Sequence, residues 1–151
     1  MGKRRIDFDD LQSEKSYGPW TAYCQSKLAD LMFALELGRR SAGIKLLSDA
    51  AHPGYAITNL QTSGPGRSQN LIEKLLASFL SQDAFHGALP TLRAVTATDA
   101  ASGKYYAPDG IFQLKGDPII VPVPAPARDE AAAQRLWDVS QELTGVCFEG
   151  L

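Results

Sequence analysis

Residues 20–54, WTAYCQSKLADLMFALELGRRSAGIKLLSDAAHPG, decide the fold class. From Trp20 to about Arg40, Cys24, Leu28, Leu31 and Leu35 recur at three- and four-residue spacing with Met32 beside them, which predicts an amphipathic helix. Arg39 and Arg40 fall in its last turn and Gly43 just beyond, both stop signals. Ile44-Lys45-Leu46-Leu47 then predicts a short buried strand running on to Ala51, ended by His52-Pro53-Gly54. A helix that feeds an apolar strand closed by a sharp turn is an α/β succession. In such folds ligands gather outside the carboxyl ends of the strands.

Working outward, residues 1–18 read as a charged, irregular entry ending in Tyr17-Gly18-Pro19. Residues 58–69 are rich in Thr, Ser, Gly and Pro and read as a loop. A second helix is predicted from Asn70 to Leu80, and a third from Gln82 to Thr98 with a kink at Pro90. Gly103-Lys104-Tyr105-Tyr106 reads as a second strand, residues 108–128 as mostly extended proline-rich loop. A last helix spans Asp129 to Leu143, ends at Gly145 and is anchored by Leu136 and Trp137. Two strands are few for such a chain. A βαβ unit takes ~30 residues, so a six- or seven-stranded sheet needs roughly 200, and two strands alone are marginal. Residues 1–151 are therefore expected to form a single partial domain of a larger fold.

Composition narrows the function. The 151 residues are 44% hydrophobic and 21% charged, with 15 basic against 17 acidic residues. A net charge of −2 argues against nucleic acid as a partner, because phosphate neutralisation needs a basic face. The one basic cluster, Lys3-Arg4-Arg5, is followed by Asp7, Asp9 and Asp10 and reads as solvated surface. No stretch reaches the ~18 apolar residues of a membrane span, and no apolar run follows the basic N-terminus as in a secretory signal. Cys24 and Cys147 lack metal-type spacing, and His52 and His86 lack ligand partners, so no metal site is expected. Two isolated thiols fit a reducing compartment, and the expected location is the cytoplasm.

The sharpest chemical feature is Tyr23-Cys24-Gln25-Ser26-Lys27. Positions i and i+4 on a helix share a face, so a phenol and an ammonium can converge there. A free phenol is a poor acid–base catalyst at neutral pH, but a neighbouring ammonium stabilises the phenolate and makes proton exchange with a carbonyl or alcohol oxygen feasible. The plain alternative is a surface lysine covering an aromatic ring. Downstream, Pro53-Gly54 lets the backbone turn sharply and approach a flat ring closely, and the Thr58 hydroxyl could bond an amide or phosphate.

These segments, taken together, resemble the C-terminal half of a short-chain dehydrogenase/reductase, in its retinol-dehydrogenase-like branch. The matching residues are Ile6-Asp7-Phe8-Asp9-Asp10-Leu11, Ala22 to Asp30, Ala51-His52-Pro53-Gly54 and Thr58-Asn59-Leu60, then Gly87 to Leu92 and Gly103 to Tyr106. Similarity reaches Leu136-Trp137 and Leu143-Thr144-Gly145. The resemblance implies a doubly wound Rossmann-type sheet lacking its N-terminal dinucleotide-binding half, and hydride transfer between NAD(P) and a small apolar alcohol or carbonyl substrate. Tyr23 would be the general acid–base. Lys27 would make the phenol more acidic and bond the nicotinamide ribose. Pro53, Gly54 and Thr58 would line the nicotinamide, and residues 59–80 would form the substrate lid.

Several parts of the family pattern are not found. Gly64-Pro65-Gly66 follows no predicted strand and is no phosphate loop. The family's catalytic serine would precede Ile6, whereas Ser13 and Ser16 follow it, so neither is promoted. Ala56 stands where the family usually has Val or Ile. The chain alone is therefore expected to have little activity. The competing reading is a non-catalytic relic or interaction module of the same fold. A weaker third is a sugar-nucleotide epimerase or dehydratase, which shares the Tyr–Lys pair. An exposed apolar edge beside Ile44–Ala51 is expected to drive self-association or pairing with a complementary N-terminal half.

Overall fold

A computed structural model describes residues 5–56, 81–148 and 150. They divide between two units, one comprising Met1–Asp49, Ala101–Gly103 and Pro122–Leu151, the other Ala50–Ala100 and Lys104–Val121. The predicted helix over 70–80, the lid over 59–80 and Thr58 lie outside the described residues.

The first unit is built on two helices. Helix α1, Pro19–Arg40, starts at a proline, whose missing N–H is no loss in the first turn. Its last turn closes on Glu36, a 6% exposed carboxylate that bonds Arg39 at 2.8 Å and Arg40 at 2.7 Å. A buried carboxylate is tolerable only when paired in this way. Helix α2, Glu130–Thr144, is capped by the Asp129 carboxylate on the Ala132 amide at 3.0 Å and ends at Gly145 with φ 68°. Ile6, Met32, Leu35, Ala127, Ala133 and Leu136 form the core. Leu136 and Trp137 are buried, as the anchoring role requires.

The face that α1 buries includes Gln25 and Glu36 as well as Met32 and Leu35, and so is partly polar. The Gln25 amide ties the middle of the entry segment to α1, its Oε1 accepting from Asp7 N–H at 3.0 Å and its Nε2 donating to the Leu11 carbonyl at 3.3 Å. Gln25→Leu removes both bonds while keeping bulk, and is expected to destabilise the protein by about 1–3 kcal/mol. A urea midpoint unchanged at constant slope would contradict this.

The second unit holds a three-stranded mixed sheet in the order β1-β2-β3. Strand β1 is Ala50–Ala51, β2 is Tyr105–Pro108 and β3 is Pro118–Ile120. The β1–β2 pair is parallel and the β2–β3 pair antiparallel. Helix α3, Ala84–Thr96, packs on all three strands and is capped by Asp83, whose carboxylate accepts from the His86 amide at 2.8 Å. Pro90 lies inside α3 with its ring fully buried. The architecture is α/β, as the order of predicted elements implied.

The strand readings need correction. Only Ala50–Ala51 is strand, and Ile44 and Leu47 are 52% and 60% exposed rather than buried. Residues 41–45 turn, Gly43 taking φ 95°, and Ser48 is tied instead to Ser102 and Gly103. Apolar residues become strand only where a neighbour supplies a ladder, and among the described residues none runs beside 44–49. The second strand starts at Tyr105, two residues later than read, and continues to Pro108. The proline-rich loop over 108–128 contains β3 and two 3-10 turns, Ile111–Gln113 and Ala125–Arg128. Proline is permitted there because Pro118 opens a strand at the sheet edge.

Candidate active site

Tyr23 and Lys27 stand one turn apart on α1, on the side that Gln25 leaves open by turning inward. Tyr23 is 52% exposed and its ring stacks on Trp20 at 5.5 Å between centroids. The Lys27 ammonium bonds the Asp30 carboxylate at 2.9 Å and not the phenol. This pairing holds the lysine above its ordinary value, by the hydrogen bond to Asp30 first and its charge second, with attraction to Tyr23 a minor contribution. Tyr23, Lys27 and Asp30 thus make one i, i+4, i+7 stripe on the exposed helix face. Ser26 points its hydroxyl back to the Tyr23 carbonyl at 2.9 Å, so it adds no free donor.

The turn before α1 is organised by Asp10, whose carboxylate accepts from the amides of Glu14, Lys15 and Ser16 at 2.8–3.1 Å. Ser13 and Ser16 belong to that turn through their backbone amides, which donate to the Asp10 carbonyl and carboxylate. A cavity of about 650 Å³ in this unit is lined by residues including Arg5, Phe8 and Arg135. Arg135 lies 4.2 Å over the Phe8 ring. Tyr23 and Lys27 do not line that cavity.

Pro53 and Gly54 belong to the second unit, directly after β1. Gly54 takes φ 64°, and a Cβ there would run into the Leu114 carbonyl and the Pro108 ring. The close approach that glycine permits is thus to the chain's own backbone. Around the bend, Gly54 N–H donates to His52 Nδ1 at 3.0 Å, which leaves the ring proton on Nε2 to donate to Gln113 Oε1 at 3.1 Å. Gln82 braces the other side, donating from Nε2 to the Pro53 carbonyl at 2.7 Å and accepting from Gly116 N–H at 3.1 Å. Both histidines have structural partners, His86 bonding Asp83 at 2.8 Å. Sequence reading missed Gln82 and Gln113, because an isolated glutamine has no spacing pattern to reveal its partner, and missed Asp30, whose i, i+3 spacing from Lys27 was the available signal.

Among the described residues no group of three or more His, Cys, Asp or Glu side chains could hold a metal ion. No described helix is long and apolar enough to cross a membrane. The polar groups open to a ligand on α1 include one phenol and one ammonium, which donate, and one carboxylate, which accepts. Such groups can hydrogen-bond hydroxyls and a carbonyl oxygen.

No protein-family model matches the chain. Over 147 residues, 96% of this chain, it is 35% identical to retinol dehydrogenase 12 from Homo sapiens, of which it covers 43%. Retinol dehydrogenase 13 from Homo sapiens is 37% identical over 153 residues, 93% of this chain and 42% of that protein. Among solved structures, an uncharacterized protein from Mycobacterium paratuberculosis matches with a TM-score of 0.69 at 36% identity, over 95% of this chain and 46% of the other. The chain spans about two-fifths of the length of the curated relatives it matches.

Proposed function

Because this chain is a homologue of the retinol dehydrogenases and belongs with them in the short-chain dehydrogenase/reductase family of oxidoreductases, matching its C-terminal half, we propose that Tyr23 and Lys27 form the proton-transfer half-site of an NAD(P)-dependent dehydrogenase. The observation that carries this reading is the open phenol with an ammonium one turn below it on α1. Tyr23 would give a proton to a substrate carbonyl oxygen during reduction, or take one from an alcohol during oxidation. Lys27 stabilises the phenolate left behind and has donors for ribose hydroxyls. NAD(P) supplies the hydride when bound. Pro53, Gly54 and Thr58 are carried over from the family pattern as the residues that line the nicotinamide, and residues 59–80 as the lid. The substrate class is a small apolar alcohol or its carbonyl form, in keeping with the name of the relatives.

The phosphate-cradling part of a dinucleotide site has no counterpart in the sequence, so the chain alone would bind the nicotinamide end of the cofactor and gain little from the adenine end. NMR of the chain titrated with reduced nicotinamide mononucleotide tests this. Resonances of Tyr23 and Lys27 are expected to move, the effect to vanish in Lys27→Ala, and NADPH to add little affinity. Undisturbed Tyr23 and Lys27 would instead favour the alternative, a non-catalytic module that pairs with itself or with a complementary N-terminal half. The exposed Ile44 and Leu47, and a β1 that among the described residues pairs on one side, are what support such pairing.

A further inference from the structure

We infer that Asp30 is a positioning residue for Lys27: its carboxylate holds the ammonium as a resting counter-ion and competes with Tyr23 for it. The catalytic meaning of this rests on the reading of Tyr23 and Lys27 given above, whereas the pairing stands on geometry alone. Lys27 Nζ lies 2.9 Å from Asp30 Oδ2, one turn past the lysine and on the side away from Tyr23 along α1. Both side chains are well exposed, at 60% and 67%, so each can exchange partners without disturbing the core. A cation with a carboxylate in contact presents a dipole rather than a bare charge to a third group, and a dipole's field falls faster with distance. The phenol at position 23 therefore meets a damped lysine while Asp30 holds it, and a freer one whenever the carboxylate lets go.

Other charged groups on or against α1 in this unit have different partners. Lys15 donates to the Asp9 carbonyl at 2.7 Å, and Asp10 caps the turn that follows it. Arg39 and Arg40 bind Glu36, Asp138 lies 4.0 Å from Arg40, and Asp129 caps α2. Asp30 is left as the group with most hold on Lys27, which agrees with its leading place among the causes that raise the lysine.

The test uses the chain with no ligand. Lysine-labelled protein is followed by NMR in the parent, in Asp30→Asn, which keeps size and loses charge, and in Asp30→Glu, which keeps the charge. In Asp30→Asn the Lys27 titration is expected to move down towards ordinary lysines, and contacts between its ε-methylene and the Tyr23 ring to strengthen. Asp30→Glu should restore the parent pattern. An unchanged titration, or unchanged ring contacts, would overturn the inference. Adding reduced nicotinamide mononucleotide separates the two readings. Competition predicts binding to Asp30→Asn that is about 2- to 5-fold tighter, the range of an exposed ion pair. Equal or weaker binding would overturn competition. Absence of nucleotide binding in every variant would count against the proposed function, while the ligand-free readouts still decide the pairing.

Discussion

Trp137→Ala is expected to be the most damaging substitution in the first unit, costing about 3–5 kcal/mol, the usual range for emptying a buried aromatic site. Trp137 is 2% exposed, stacks on Phe33 at 4.9 Å and meets Phe148 at 5.3 Å. Arg40 places its guanidinium 4.8 Å over the same ring, held there by Glu36. Removing the indole therefore uncovers three neighbours and leaves an arginine without its aromatic platform. Small domains have only about 5–15 kcal/mol of stability in all, so the variant should lose a large share of it. Trp137→Phe keeps a ring for Phe33 and Arg40 and should lose much less. Urea unfolding followed by far-UV circular dichroism measures both. A loss below about 1 kcal/mol for the alanine variant would mean that the indole is not a keystone of this unit.

Gly54→Ala should have a comparable effect on the second unit, for a different reason. At φ 64° any L-residue pays roughly 1–2 kcal/mol in the left-handed region. The added methyl would also sit 2.8 Å from the Leu114 carbonyl carbon and 2.9 Å from the Pro108 ring, in addition to meeting the Leu114 oxygen. Overpacking of that kind adds about 1–3 kcal/mol. It would also push away the carbonyl that accepts from Tyr55 N–H at 2.6 Å. Gly145→Ala is the internal comparison, since Gly145 has φ 68° but nothing within 4 Å of its would-be Cβ. The difference between the two variants in thermal unfolding isolates the clash. Equal losses would show that only backbone conformation matters at position 54.

The helices were legible because their signals are local. Proline at the start of α1, the Asp129 cap and Gly145 of α2, and the Asp83 cap of α3 each satisfy a backbone group within a few residues, and the observed bounds differ from the predicted ones by a few residues at most. The strands were not. Ile44 to Leu47 have the composition of a buried strand and lie exposed, whereas Pro118-Ile119-Ile120, read as loop, pairs with β2. The candidate site divides in the same way. The kind and spacing of Tyr23, Lys27 and Asp30 are written in the chain, but the inward turn of Gln25 onto Asp7 and Leu11 is not.

From the sequence alone followed the α/β class, the three described helices and the one-turn spacing of phenol and amine, because each depends on neighbours a few residues away. Tertiary structure decided which apolar stretch became strand and which carbonyl made glycine necessary at position 54. Those outcomes depend on groups brought together across the fold, where a hydrogen-bond ladder or a backbone approach finds its partner only once the chain has packed.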